Sequence, residues 1–389
     1  MPYDAFTLDT NTVIQGGLDF EAGLLVQLGQ FEDGPTEFIL SEIVVREILK
    51  HLQANIKKTR DAAVNSIARA FSVGLIDEAA RQAALDALED SRAVARRRLA
   101  AFVAATGAKL VPAKLCSIEA LVKSYFDMAA PFEPTGDKKA EFPDALALLS
   151  LEEWARSSGK TILAASSDKG WKAFADTSEH VFVEGGLADA LQIVQQHAEE
   201  ADTAIQAFLR ALDSGQLDEV EMSINALLSN ALTEWEFDVE ASSSLRFEVD
   251  QSELKFESFQ LLEQDGVYGV TMVRIAAEET VFRLEMEITA TAHADFSLYM
   301  WDSIDREEFS MGGTSTLSEE TFDAAVLITI SGPINGPPNE LEVTEIEVIE
   351  ALGTVDMGEI ELDYGEDDDD YNQFHLMLEA EAEVAPTSI

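Results

Sequence analysis

Apolar positions in the first half of the chain follow two rhythms. Ala5-Phe6-Thr7-Leu8, Phe38-Ile39-Leu40, Thr161-Ile162-Leu163-Ala164-Ala165 and Val181-Phe182-Val183 are short, β-prone runs of the kind buried in a parallel sheet. Between them the spacing becomes three and four: Ile43, Val44, Ile48 and Leu52 form one stripe, with Ser41 as its expected N-cap. From Gln53 to Thr106 the chain is Ala-rich with few breakers apart from Gly74, which predicts an antiparallel helix pair, Ala54 to Ser72 and Asp77 to Ala105. A further helix starts at Pro143, and two more are expected over Leu187 to Ala211 and Ser214 to Ala231. From about Thr233 the period falls to two, as in Leu284-Glu285-Met286-Glu287-Ile288-Thr289-Ala290, Leu341-Glu342-Val343 and Ile360-Glu361-Leu362-Asp363-Tyr364. Turn signals at Asp265-Gly266, Gly312-Gly313, Gly332-Pro333 and Asn335-Gly336-Pro337-Pro338 separate antiparallel strands with one wet face, in a small sandwich or meander. The expected fold class is therefore α/β with a parallel sheet and helical insert, followed by a linker helix pair and an antiparallel β domain.

Acidic residues stand where these elements end or begin. Asp9 follows the first strand in Asp9-Thr10-Asn11, so it leaves the carboxyl edge of a sheet, where open α/β folds bind ligands. Glu47 lies on the first turns of the Ser41-capped helix, Asp144 follows Pro143 near a helix N-terminus, and Asp168 closes Ser166-Ser167-Asp168 after a strand. Each has a plainer reading. Asp9 serves as a turn former, Glu47 pairs with Lys50 or His51, Asp144 answers a helix dipole, or Asp168 caps the helix containing Trp171 and Phe174.

Taken in order on a βαβ chain, these four contexts resemble the PIN-domain nucleases over roughly residues 1–186. The motifs are the L-D-T-N start, the SEIVVRE run ending at Glu47, the D-A-L-A-L-L helix from Asp144 and the S-x-D pattern ending at Asp168. The segment GDKKAEFPDA also resembles PIN-like proteins with a long helical insert, here residues 53–106. The resemblance implies Asp9, Glu47, Asp144 and Asp168 as ligands of Mg²⁺ or Mn²⁺, with Asn11 and Ser166 as polar neighbours. Such hard cations take oxygen ligands and promote in-line displacement at phosphorus without a protein nucleophile. Glu42, Asp4, Asp19 and Asp137 are nearby substitutes.

Composition frames the partners. At 389 residues and 47% hydrophobic content the chain can bury more than one core. Domain boundaries are expected at 1–186, 187–232 and 233–389. Cys116 is the only cysteine and the five histidines are scattered, so neither a disulfide nor a histidine metal site is expected. With no basic-then-apolar leader pattern and no apolar run near the ~18 residues of a membrane span, the protein is expected to be soluble and cytoplasmic.

Charge is uneven: residues 211–389 hold 43 acids and 5 bases, whereas residues 1–210 hold 31 and 21. Bases gather at Lys57, Lys58, Arg60, Arg69, Arg92, Arg96, Arg97 and Arg98, and again at Lys138 and Lys139. A solvated helix face explains them, but beside a phosphodiester-cleaving site Arg96, Arg97, Arg98, Lys138 and Lys139 become candidates for nucleic-acid binding. Phe132 and Phe142 flank the lysine pair and are candidates for base stacking or for core. The function this implies is metal-dependent cleavage of RNA, restrained by the acidic β domain or its competition for the basic surface. The alternatives are a PIN-like scaffold binding a basic partner, and a structure-specific DNA nuclease; a toxin with a separate antitoxin is a further biological setting. The acid run Glu366 to Asp370 is expected to be a solvated loop.

Overall fold

The computed structural model describes residues 3–132, 141–302, 307–334 and 336–362. Their first strands and helices are β1 (Ala5–Leu8), α1 (Thr10–Gln15), α2 (Gly23–Val26), β2 (Glu37–Ser41), α3 (Glu42–Ser72), α4 (Glu78–Ala87), α5 (Ser91–Ala105) and β3 (Lys109–Val111). There follow α6 (Ile118–Asp127), α7 (Phe142–Ser158), β4 (Ile162–Ala165), α8 (Lys169–Ala175), β5 (Val181–Glu184), α9 (Leu187–Val194), α10 (Ala198–Asp213) and α11 (Asp218–Thr233).

The five strands form a parallel sheet in the order β3-β2-β1-β4-β5. The chain thus builds outward from β1 in one direction, then returns to β1's other edge with β4. This reversal makes the gap beyond the carboxyl ends of β1 and β4 the natural ligand crevice of the fold. Leu8 is paired with Ala165, so Asp9 and Ser166 leave adjacent strands at the same level. Both strands are buried throughout, which is why they read as unbroken apolar runs. Beneath them Phe6 stacks on Phe31 with ring centroids 4.9 Å apart, and Phe31 stacks on Phe38 at 5.8 Å. Burying each such side chain contributes about 1.5–3 kcal/mol.

Ser41 caps α3 as expected, accepting the Ile43 amide. The helical insert differs from the expected pair. Its first limb is continuous with the Glu47 helix as one 31-residue α3, and the second limb breaks at Leu88 into α4 and α5, capped by Asp77 and Asp90. Both short helices fold back on α3. Capping aspartates within an Ala-rich run end and restart a helix without any Gly or Pro, so hydrophobic spacing alone passed over the break. The three-residue β3 and the helix α6 carried no expectation.

The later strands are β6 (Asp238–Ser242), β7 (Arg246–Leu261), β8 (Glu263–Gln264), β9 (Val267–Tyr268), β10 (Val270–Ile275), β11 (Glu279–Asp302), β12 (Glu307–Ser331), β13 (Glu342–Glu350) and β14 (Thr354–Glu359). The antiparallel sheet runs β10-β11-β12-β13, with β7 also paired to β11. Mixed α/β architecture with a parallel sheet and a separate antiparallel sheet is therefore the observed fold class. Alternation is sustained along β11, where Leu284, Met286, Ile288, Ala290, Ala292, Ala294, Phe296 and Leu298 are all buried. The Asp265-Gly266 signal is a true hairpin, both residues taking positive φ of 53° and 83° between β8 and β9. Gly312-Gly313 is not a turn: both glycines lie inside β12, and Phe296 O stands 2.9 Å from where a Gly313 Cβ would sit. Close backbone approach within a strand accounts for that glycine. Of the last expected strand, residues 360–362 follow the end of β14 at Glu359 and are not strand, while residues 363–364 and the run Glu366 to Asp370 lie outside the described residues.

By compactness the chain divides into a unit of residues 1–231, 259–288 and 323–351 and a second of 232–258, 289–322 and 352–389. The cut expected at 232 coincides with the end of the first segment, whereas no division falls at 186 and two later segments return to the first unit, for a visible reason. Helices α9 and α10 pack against β10, and Val273, Val281 and Leu327 belong to the same core as Phe6 and Leu8. Gln206 holds the Tyr268 backbone at both groups, donating to its carbonyl at 2.8 Å and accepting its amide at 3.0 Å. The second unit has its own rings, Phe247 and Phe296 meeting edge-on at 5.7 Å, and its own parallel pair β6–β14.

Candidate active site

Asp9 is 2% exposed at the end of β1 and caps α1. Its Oδ1 accepts the Thr12 amide at 2.6 Å, and its Oδ2 accepts the Ser166 hydroxyl at 2.5 Å across the β1–β4 gap. Glu47, half-buried one turn into α3, accepts the Thr10 hydroxyl at 2.8 Å rather than pairing with Lys50 or His51. Asp144 lies in the first turn of α7, where Trp171 donates its indole N–H at 3.0 Å. Asp168 follows β4 and caps α8, its Oδ1 accepting the Gly170 and Trp171 amides at 2.7 and 3.1 Å. The helix-cap reading of Asp168 is thus also true, and Asp9, whose plainer reading is a turn former, caps a helix too. Capping occupies one oxygen and fixes the direction of the other.

Electrostatics tie the four together. Burial, the largest cause, raises Asp144 from the ordinary 3.8 to about 6; the Trp171 hydrogen bond opposes it, and the charges of Asp168, Glu47 and Asp9 add to it. A carboxyl that feels three others is in their shared field, as expected of like charges held around one spot. Glu47 Oε1, Asp144 Oδ2 and Asp168 Oδ2 carry no hydrogen bond among the described residues.

Of the polar neighbours, Ser166 is buried and also accepts the Asp168 amide at 3.1 Å, so one hydroxyl links two of the acids. Asn11 is exposed on α1, and Thr10 beside it makes the contact to Glu47. Thr10, Thr12 and Trp171 were not singled out in sequence; the D-T-N-T spacing carries the two threonines, but nothing local marks an indole 27 residues from its partner. The substitutes are engaged elsewhere: Glu42 with Arg46 and the Ala113 amide, Asp4 with Thr161, Asp19 with Arg98. Asp137, Lys138 and Lys139 lie outside the described residues.

The arginine triplet divides. Arg96 is exposed; Arg97 pairs with Glu89 at 2.7 Å; Arg98 is half-buried, 3.5 Å from Asp19 and over the Phe20 ring. Phe132 is buried at 2% exposure, and with Tyr125 and Phe142 it forms an aromatic cluster with centroids 5.1–5.5 Å apart.

Residues 7–171 match the family model described as a PIN domain. This part of the chain is a PIN domain. The match starts inside β1 and ends at Trp171, so it takes in all four carboxylates and the indole that meets one of them. PIN domains are generally nucleases that use divalent metal ions. No curated protein and no solved structure matches the chain. Among the described residues no three His, Cys, Asp or Glu side chains form a ready-made ion cage. The PIN-domain donor set still fits a hydrated Mg²⁺ or Mn²⁺, because it is all oxygen and Mg²⁺ uses one or two carboxylates while keeping several waters. No helix among the described residues is long and apolar enough to cross a membrane.

Proposed function

We propose that this PIN domain is a metal-dependent endoribonuclease that hydrolyses RNA phosphodiester bonds. The observation that supports it is the shared field on Asp144, raised to about 6 by burial and by Asp168, Glu47 and Asp9 at the switch point of the sheet. Four acids concentrated in one crevice oppose folding unless a cation offsets them.

Asp9, Glu47, Asp144 and Asp168 are the residues that would hold Mg²⁺ or Mn²⁺. Bound there, the ion would supply Lewis-acid stabilisation of the charge that develops in an in-line displacement at phosphorus. The chain's other residues prepare that position. The Ser166 hydroxyl holds Asp9 in place, Thr10 directs Glu47, and the Trp171 indole orients Asp144. Exposed Lys169, adjacent to Asp168, is free to meet a phosphate oxygen.

Cleavage of a labelled single-stranded RNA should require Mg²⁺ or Mn²⁺ and stop in excess chelator. Asp9→Asn and Asp144→Asn should each lower the rate by a factor of about 10² or more while leaving the far-ultraviolet spectrum unchanged. A flapped DNA offered in parallel separates the RNA reading from the DNA one. Cleavage that survives both chelator and the double substitution overturns the assignment.

A further inference from the structure

Helix α6 carries apolar side chains outward. Ile118 and Phe126 are 77% and 73% exposed, and Val122 between them is 47% exposed, all at a spacing of four. A large ring held in water calls for a partner. Its position identifies which. Phe126 meets Tyr125 edge-on at 5.3 Å, and Tyr125 lies 5.1 Å from Phe142, the first residue of α7 and two before Asp144. The chain after α6 then reaches the other side of the crevice. A Cβ on Gly170 would stand 3.1 Å from Pro131 Cβ and 3.0 Å from Asp168 Oδ1, so the Pro131 ring is packed against the turn that holds Asp168. The exposed ring is thereby braced to both Asp144 and Asp168 through two short contact chains.

Two exposed cations stand on these same elements. Lys123, one turn before Phe126, and Lys169, beside Asp168, are exposed and make no ion pair among the described residues. Arg97 and Arg98, by contrast, are committed to Glu89 and Asp19. An exposed ring with one unpaired cation on its own helix and another beside Asp168 matches a strand of unpaired nucleotides, since bases stack on rings irrespective of sequence while phosphates take the charges.

We infer that Phe126 is a base-stacking platform of the nuclease site, which takes an unpaired nucleotide next to the scissile phosphate, with Lys123 and Lys169 on the flanking phosphates. The inference rests on the proposed nuclease reading and narrows it to single-stranded substrate. A duplex keeps its bases inside the stack and offers the ring nothing. The stacking face is Phe126, not Phe132, whose ring is buried in the cluster.

The test is binding of a single-stranded oligonucleotide containing 2-aminopurine, as RNA and as DNA, to the full chain in excess chelator, where no cleavage intrudes. A blunt duplex of the same sequence serves as control. Wild-type protein should quench the 2-aminopurine. Phe126→Ala should weaken single-strand binding on the order of ten-fold and abolish the quenching, with duplex binding and melting temperature unchanged. Phe126→Trp should restore both. Preference between the RNA and DNA arms identifies which strand supplies the base. If wild-type protein binds neither strand, the nuclease reading fails and this inference with it. If it binds but Phe126→Ala binds and quenches equally, the platform alone is overturned. Loss of self-association in Phe126→Ala with unchanged oligonucleotide binding assigns the α6 face to protein contact instead, which also overturns it.

Discussion

Asp144 shows how a single side chain reports on a whole site. Its carboxyl is raised to about 6, against 3.8 for the free group, so the folded protein holds a proton there that the unfolded chain has released. The sign follows: between those two values stability falls as pH rises, and above about 6 the metal-free protein carries the full penalty. A difference of that size corresponds to about 3 kcal/mol, and partial exposure reduces this to about 2. Asp144→Asn keeps an oxygen for the Trp171 indole and should therefore stabilise the metal-free protein by about 2 kcal/mol at pH 8 and by almost nothing below pH 4, measured by urea unfolding. Added Mg²⁺ should narrow the gap at pH 8 by stabilising wild-type protein alone. A smaller effect is expected at Thr7, whose buried hydroxyl has no partner among the described residues. Replacing it by the isosteric methyl in Thr7→Val should raise stability by about 1 kcal/mol and leave cleavage intact.

At the scale of elements, the crevice is made by strand order and the insert by one helix that does two jobs. Its first turns carry Glu47; its last turns meet α4, where Arg81 lies over Phe71, and α5 folds back along it. Of the triplet Arg96, Arg97 and Arg98 on α5, only Arg96 makes no ion pair among the described residues, which makes a sharper expectation than reversing all three. Arg96→Glu should weaken RNA binding and flatten its salt dependence by about one counterion, whereas Arg98→Glu should lower the melting temperature through its Phe20 and Asp19 contacts. Binding titrations at several salt concentrations, paired with thermal unfolding, separate the two. What the sequence made legible here follows element length and locality. The apolar runs at Phe6, Phe38 and Ile162 are unambiguous because both faces of those strands are buried, and the Val181 run is readable from its β-prone residues although it is a partly exposed edge strand. The Ser41 cap, and the ends of β1 and β4 where Asp9 and Asp168 stand, rest on adjacent residues and are equally readable. The α4–α5 break escaped because Asp caps interrupt an otherwise helical composition, and β3 because three residues with an exposed face leave no period. Trp171 and Thr10 escaped for a different reason: their contacts to Asp144 and Glu47 join distant elements, and no local pattern encodes a distance through the fold.

At the scale of the molecule, the acidic half is less separable than its composition implies. Although residues 211–389 hold 43 acids against 5 bases, segments 259–288 and 323–351 lie in the same compact unit as the PIN domain. They give Val273, Val281 and Leu327 to its core, and the amide of Gly23 donates to Glu347 at 2.5 Å. A chain ending at Ala211 would leave Leu191, Val194, Phe208 and Leu209 of α9 and α10 without the β10 residues that cover them. It should therefore aggregate or melt well below the intact protein, through exposure of apolar surface and not through any change at Asp9 or Asp144. Electrostatic restraint of the nuclease site must accordingly be tested in the intact chain. Asp238, Glu240, Glu248, Asp250 and Glu257 are exposed on β6 and β7 of the second unit, where amides of the same shape preserve the strands. If the negative field repels RNA, replacing all five by Asn or Gln should raise the cleavage rate at low ionic strength, and the gain should vanish toward 1 M salt, where the Debye length is about 3 Å. Equal rates at low salt would exclude restraint by these residues and leave solubility or binding of a basic partner as the role of that charge.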